Sequence, residues 1–168
     1  MEIRTRSTDE AARDERVDVA IADRSMTMTR WFDAPRDRVW RAFTQPELIA
    51  QWWGRGNKLV IERMEVERGG HWRVVEHTPD GETHGFEGRF REVTPKDRIS
   101  RTFEWDGMPG YTILETAEFF DAGEGRTRLV STALFFSPEE RDGMLHSGME
   151  GGMAESYAAL DRVLAGMR

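Results

Sequence analysis

Apolar and polar residues alternate with a period of two through most of the chain beyond residue 57. This period is typical of strands, in which successive side chains point to opposite faces. It predicts six strands, at residues 58–66, 71–78, 84–93, 98–105, 111–120 and 126–135. The segments between them are short and rich in Gly, Pro and Asp, which are turn residues. We therefore expect consecutive strands to pair antiparallel.

A different pattern precedes these strands. Pro35 stands at a first helical position, apolar residues follow at Val39, Trp40 and Phe43, and Pro46 closes the segment. Proline favours the first turn of a helix and disfavours helical backbone in the residue before it. The segment therefore predicts a short amphipathic helix followed by a second one.

Further signals lie on either side of these segments. Alternation from Val19 to Phe32 predicts one strand before the helices, and Ser137 before Pro138 is a strong helix start. An apolar stripe with helical spacing follows at Met153, Tyr157, Leu160 and Leu164. Together the patterns predict an α+β fold with one strand, two short helices, six antiparallel strands and a long last helix. Because a sheet of this length curls, we expect that helix to cover its concave face.

Composition excludes several classes of function. The length of 168 residues fits one domain, which we place at 19–168 behind a polar extension at 1–18. The lack of cysteine excludes disulfides, thiolate metal sites and a cysteine nucleophile. A net charge of −7 disfavours nucleic acid as a partner. We find no apolar run typical of a membrane span or a signal peptide, so we expect a soluble, cytoplasmic protein.

Side-chain parity assigns an interior face to each strand. By this criterion Trp72, Val74 and Glu76 point inward, and so do Arg101 and Glu115. The small interior residues are Gly88, Ala117, Ser131 and Ala133. We expect them to leave space beneath the last helix unless neighbouring aromatic side chains fill it. Polar groups in an aromatic-lined hollow are typical of a small-molecule site.

The same residues allow a second interpretation. One bulge, or a shift of one residue in parity, would place Glu76 and Glu115 in solvent. Arg101 would then be a structural partner of either carboxylate, and the tryptophans would be ordinary core residues. His84 would be a surface histidine at a strand end.

Few patterns point to catalysis. The chain has no Gly-x-Ser-x-Gly sequence and no phosphate-binding glycine loop, and we expect no cofactor. By parity His71 and His77 lie on the face opposite Glu76 and His84, which argues against a metal site. The remaining catalytic candidates are Glu76 and Glu115, as general acid or base on a bound molecule.

Five motifs occur in order along the chain: Ala34-Pro35 with Val39-Trp40, Trp52-Trp53-Gly54, Gly69-Gly70, Phe86 with Gly88, Phe90 and Glu92, and Ser147 to Gly152. Over residues 24–165 this order resembles the activator-of-Hsp90-ATPase-like branch of the START-related helix-grip superfamily. The resemblance implies a curved antiparallel sheet wrapped around a long C-terminal helix. It carries over no catalytic residues, since most of its motifs are structural and a shared fold hosts many activities.

Our leading hypothesis is a protein that binds a hydrophobic or amphipathic small molecule between the sheet and the last helix. The expected ligand contacts are Trp52, Trp53, Trp72, Glu76, Phe86, Arg101, Trp105, Glu115 and Met153. One alternative is an enzyme of cyclase, dehydratase or hydrolase type that uses the carboxylates. Another is a module that contacts a chaperone or regulator. The resemblance also suggests a stress-related role, and a homodimer through an edge strand stays open.

Overall fold

The computed structural model describes residues 3–4, 17–147 and 149–167. The strands in these residues are β1 (Ile3–Arg4), β2 (Val17–Ala22), β3 (Ser25–Phe32), β4 (Lys58–Met64), β5 (His71–His77), β6 (Thr83–Thr94), β7 (Arg98–Trp105), β8 (Ile113–Gly123) and β9 (Arg126–Leu134). The helices are α1 (Arg36–Thr44), α2 (Pro46–Trp52), α3 (Pro138–Leu145) and α4 (Met149–Gly166).

These strands form a single antiparallel sheet in the order β1-β2-β3-β9-β8-β7-β6-β5-β4. From β4 to β9 each strand pairs with the next along the chain, because the short connections allow only antiparallel neighbours. β3 pairs with β9 and so joins the first three strands to the β9 end of this series. The predicted α+β class with a curved antiparallel sheet is confirmed. The edge strands are β1 and β4, and a homodimer through either one stays a prediction.

The prediction of one strand from Val19 to Phe32 is wrong, because this segment is the hairpin of β2 and β3. Ala22 pairs with Ser25, and the turn between them contains Asp23 with a φ of 50°. Aspartate tolerates this left-handed conformation better than most residues. Because the turn has neither Gly nor Pro, the apolar alternation of the two strands looks continuous and predicts a single strand. The sheet therefore has two strands more than predicted, since β1 also pairs with β2.

The boundary predicted between an extension at 1–18 and a domain at 19–168 falls within β2, which begins at Val17. Most of the predicted extension lies outside the described residues. The predicted helices match α1 and α2, and the six later strands match β4 to β9. At α3 the Ser137 hydroxyl accepts a hydrogen bond from the Glu140 amide at 3.2 Å, as expected of an N-cap. Among the described helices, none combines the length and apolarity needed to cross a membrane.

The core lies between the concave face of the sheet and the helices. Phe32, Phe119 and Leu129 from the sheet are almost completely buried with Val39 of α1 and Leu160 of α4. The rings of Trp40 and Phe43 meet Phe119 at 5.5 and 5.3 Å, edge to face. This packing places α4 across the concave face, where the predicted site lies.

A buried ion pair fastens α4 to the sheet. Arg30 points inward from β3, and both of its terminal nitrogens donate to the Asp161 carboxylate of α4 at 2.8 Å. The guanidinium carbon also lies 4.5 Å from the centre of the Phe32 ring. Arg30 is only 1% exposed, so this charge depends on its carboxylate partner.

Candidate functional site

A continuous line of aromatic side chains crosses the concave face. Trp53, which follows α2, meets Phe86 of β6 edge to face at 5.1 Å. Phe86 lies 5.4 Å from Phe103 of β7, and Phe103 lies 6.0 Å from Trp72 of β5. We call these four residues the aromatic row. Trp72 is buried, whereas the other three are half-buried and therefore reachable from solvent.

The side chains of β5 that parity placed on the interior face lie there in the structure. Trp72, Val74 and Glu76 are 1%, 1% and 2% exposed, so the predicted interior face of β5 is confirmed. Phe86 and Trp105 are cross-strand partners in β6 and β7. Since every second residue of a strand faces the same way, the alternation alone was sufficient to identify this side of the sheet.

At Gly88 a neighbouring aromatic side chain fills the space, because the indole of Trp72 occupies that position. Trp72 Nε1 passes over Gly88 and donates a hydrogen bond to the Thr102 carbonyl oxygen at 3.1 Å. A Cβ atom on Gly88 would overlap that carbonyl and lie 2.8 Å from Trp72 Nε1. Gly88 therefore makes room for a tryptophan rather than for a ligand.

The aromatic row ends at an ion pair. The guanidinium of Arg101 stacks on Trp72, with its carbon 4.0 Å from the ring centre. Its Nε donates to Glu115 Oε2 at 3.3 Å across the β7–β8 ladder. The side chains of Arg101 and Glu115 keep 23% and 36% of their surface exposed. Both point to the concave side and remain accessible to a small molecule.

Tyr157 of α4 approaches this pair from the helix side. Burial raises the pKa of its phenol well above the ordinary range, a hydrogen bond with Ser131 opposes the rise, and the charge of Glu115 adds to it. The phenol therefore stays protonated at neutral pH. Met153 lies one turn earlier on the same face of α4 and is half-buried.

We call the part of the concave face that these groups share the hollow. Its members are Trp53, Phe86, Phe103, Arg101 and Glu115, together with Met153 and Tyr157 of α4. An aromatic surface with a few convergent polar groups can hold the apolar part of a molecule and orient its polar end.

Glu76 has a different environment. Its Oε1 accepts a hydrogen bond of 2.5 Å from Asn57 Nδ2 and lies 3.8 Å from Arg55 Nη2. The Arg55 amide donates to Ser156 Oγ of α4 at 3.3 Å, and its side chain packs against Gly152. Glu76 thus holds the loop after α2 on β5, and Arg55 of that loop contacts the last helix.

The two candidate carboxylates do not form a pair. Glu76 lies on β5 and Glu115 on β8, with β6 and β7 between them. At a strand spacing of about 4.8 Å, the two positions are on the order of 14 Å apart along the sheet. Each carboxylate also has its own arginine. This arrangement does not support the joint acid–base role considered from the sequence.

Two other predicted contacts, Trp52 and Trp105, lie beneath the hollow or at its margin. Trp52 is buried, stacks on Tyr157, and donates from Nε1 to the Ala42 carbonyl at 2.9 Å. It therefore joins α1, α2 and α4. Trp105 is half-buried beside His84, with 6.0 Å between ring centres.

Among the described residues, no group of His, Asp or Glu side chains is arranged to hold a metal ion.

Sequence reasoning omitted three residues of the site: Phe103, Ser131 and Tyr157. Ser131 was assigned to the interior face and Phe103 has the parity of Arg101 on β7, so parity could have added both to the site. Tyr157 was assigned to the apolar stripe of the last helix, and only the docking of α4 brings it to Ser131.

Two grooves lie outside the hollow. One, of about 380 Å³, is lined by Gly110, Tyr111, Thr112, Phe136 and Glu140. The other, of about 590 Å³, lies on the outer face of the sheet and includes Arg68, Arg91, Arg98 and Thr116. Neither groove contains a residue of the predicted site.

Comparison with known proteins identifies the fold. The family model described as Activator of Hsp90 ATPase homolog 1-like protein matches residues 33–165. This match begins nine residues later than the resemblance read from the motifs. None of the curated proteins matches the chain.

Solved structures include close structural neighbours. A protein from Rhodobacter sphaeroides is 28% identical with a TM-score of 0.82, and the match covers 90% of this chain and 99% of that chain. A protein from Arthrobacter aurescens is 26% identical with a TM-score of 0.81, covering 89% and 92%. A third, from Mycobacterium smegmatis, is 19% identical with a TM-score of 0.76, covering 86% and 93%, and is similar in fold alone.

Proposed function

Since this chain belongs to the activator of Hsp90 ATPase homolog 1-like family, we propose that it binds an amphipathic small molecule in the hollow between the sheet and α4. The observation that carries the proposal is the aromatic row, which is partly open to solvent and ends at the accessible Arg101–Glu115 pair. We further propose that this binding takes place in the cytoplasm.

The geometry supports binding more than catalysis. Three rings of the aromatic row offer apolar surface, whose burial stabilises a complex by about 25 cal/mol per Å² of apolar area. Arg101, Glu115 and Tyr157 offer hydrogen bonds at one end. A bound molecule would lie with its apolar part on the row and its polar end at these three residues.

Native mass spectrometry of freshly purified protein, with a denatured control, tests this proposal directly. A copurified species that is released on denaturation would support it and identify the ligand class. Protein at the bare chain mass, together with no binding of apolar probes in solution, would contradict it.

Phe86→Ala tests whether the hollow is the binding site. The substitution removes a half-buried ring at the centre of the aromatic row, so we expect probe affinity to fall by about tenfold or more. Phe120→Ala is the matched control, because Phe120 lies on the outer face of β8 beneath Arg128. Equal loss in both variants, measured by fluorescence titration, would place the binding site elsewhere.

A second candidate function is docking of a protein partner, favoured by one exposed apolar surface. Phe136 is 78% and Tyr111 51% exposed, and both line the same groove. Exposed aromatic residues that lie together often mark interaction sites. The family description names Hsp90 ATPase activation, so purified Hsp90 is the first partner to test. Stimulated ATP hydrolysis that is lost in Phe136→Ser but kept in Phe120→Ser would support this candidate.

A further inference from the structure

In the described residues, three arginine–carboxylate pairs lie on the concave side of the sheet. Each pair joins one arginine to one carboxylate, as seen for Arg30 with Asp161, Arg55 with Glu76, and Arg101 with Glu115. The sum of these six formal charges is zero. They therefore provide no excess charge to balance that of an ionic ligand.

These pairs differ in how accessible they are. Arg30 is 1% and Glu76 2% exposed, and both act between structural elements. The Arg55 side chain is 49% exposed, but it packs against Gly152 of α4 and lies away from the aromatic row. Arg101 and Glu115 are more exposed and lie beside the aromatic row. The Arg101–Glu115 pair is therefore the one that a ligand in the hollow would meet.

The Arg101–Glu115 pair has hydrogen-bonding capacity beyond its own contact. One N–H of Arg101 and one oxygen of Glu115 make the bond between them. A guanidinium has five donors and a carboxylate two acceptor oxygens, so both donors and acceptors can reach a ligand. The protonated Tyr157 phenol and the Ser131 hydroxyl lie on the same side. A ligand head group that both donates and accepts hydrogen bonds can therefore bind these four side chains.

We propose that the hollow selects an uncharged amphiphile, whose head group is a hydroxyl or a primary amide bound between Arg101 and Glu115. This inference rests on the proposed binding function and defines its ligand class. A charged head group would lose hydration and find no uncompensated opposite charge, which is unfavourable in a partly desolvated site. An uncharged polar head group avoids that cost and still makes hydrogen bonds.

Neutralising one member of the Arg101–Glu115 pair should change which head-group charge the protein binds most tightly. Glu115→Gln leaves the positive charge of Arg101 in excess and should favour a carboxylate. Arg101→Gln leaves the negative charge of Glu115 in excess and should favour an ammonium group. Glu118→Gln is the matched control, since Glu118 lies on the same strand, faces outward, and pairs with Arg98 at 3.3 Å.

Three probes with the same chain test the proposal: decan-1-ol, decanoate and decylammonium. At about pH 8 the second is an anion and the third a cation. Dissociation constants are measured by tryptophan fluorescence titration for the unsubstituted protein and the three variants. Circular dichroism verifies folding, and the comparison of Glu115→Gln with Glu118→Gln is decisive even if Arg101→Gln does not fold.

We expect the unsubstituted protein and Glu118→Gln to bind decan-1-ol about tenfold more tightly than either ion. Relative to them, Glu115→Gln should gain about tenfold in preference for decanoate, and Arg101→Gln the same for decylammonium. Equal affinities for all three probes, or equal effects of Glu115→Gln and Glu118→Gln, would overturn this inference and leave the binding function intact. Absence of binding by any probe would overturn both.

Discussion

Gly88 lies beneath the indole of Trp72, where β6 has no room for a side chain. We expect Gly88→Ala to displace Trp72 from its hydrogen bond with Thr102 and to lower the free energy of unfolding by about 1–3 kcal/mol, the usual cost of overpacking a core. Urea denaturation measures this change. Gly143→Ala in α3 is the control: no atom lies within 4 Å of its added Cβ, so stability should rise by up to about 1 kcal/mol. Equal stability of the two variants would contradict the close packing at Gly88.

Tyr157 should make stability depend on alkaline pH. Burial raises the pKa of its phenol above its value of about 10 in the unfolded chain. The folded protein therefore holds this proton more tightly than the unfolded chain. The stabilisation that the protonated phenol gives the folded state is complete below about pH 10 and is lost as the pH rises further.

Tyr157→Phe should reduce this alkaline loss and cost about 1 kcal/mol at neutral pH, because the hydrogen bond with Ser131 is lost. Urea midpoints at about pH 8 and pH 11 measure both effects. Tyr111→Phe, at a ring that is half exposed, should keep the full alkaline loss. An unchanged alkaline loss in Tyr157→Phe would show that other groups cause it.

Individual partners were harder to predict than individual faces. Parity placed Trp72 and Glu76 inside because it depends only on neighbours along one strand. The partner of Glu76 is Asn57, in a loop whose path depends on the position of α2 against α4. Arg30 has the parity of the buried Met28 and Phe32 on β3, but Asp161 is 131 residues away and carried no matching signal.

At the scale of elements, the Arg30–Asp161 pair determines how firmly α4 is held on β3. Asp161→Asn removes the negative charge and leaves Arg30 charged in a buried position. We expect a loss of about 3–5 kcal/mol in the free energy of unfolding, measured by urea denaturation. Asp142→Asn removes an exposed carboxylate that, in the described part of the chain, pairs with its neighbour Arg141, so it should change stability by less than about 0.5 kcal/mol. A similar small change in Asp161→Asn would mean that apolar packing alone holds the helix.

Elements with a clear period were predicted well, and irregular backbone was not. The strands β4 to β9 and the helices α1 and α2 follow from periodicity and proline positions. The β2–β3 hairpin was missed because Asp23 turns the chain without glycine. In β6 the pairing shifts between Phe90 and Glu92, so Val93 faces the core although strict alternation would turn it outward. A single extra residue of this kind cannot be located from alternation alone.

At the scale of the whole molecule, ligand binding and stability are linked. A molecule that binds only the folded state stabilises it by about 2.7 kcal/mol at a free concentration one hundred times its dissociation constant. We therefore expect decan-1-ol to raise the unfolding midpoint in urea, and Phe86→Ala to reduce this effect at the same concentration. Equal stabilisation of the unsubstituted protein and Phe86→Ala would indicate binding outside the aromatic row.

The position of α4 across β3 also has a consequence for the order of folding. β3 and α4 are separated by most of the chain, and Arg30 cannot meet Asp161 until six further strands have been synthesised. Contacts between such distant residues carry a large loop-closure cost and slow folding. During synthesis on the ribosome, the part of the concave face that α4 covers therefore stays open until this last helix emerges. For that interval the aromatic row is the surface most exposed to aggregation and to capture by a nascent-chain chaperone.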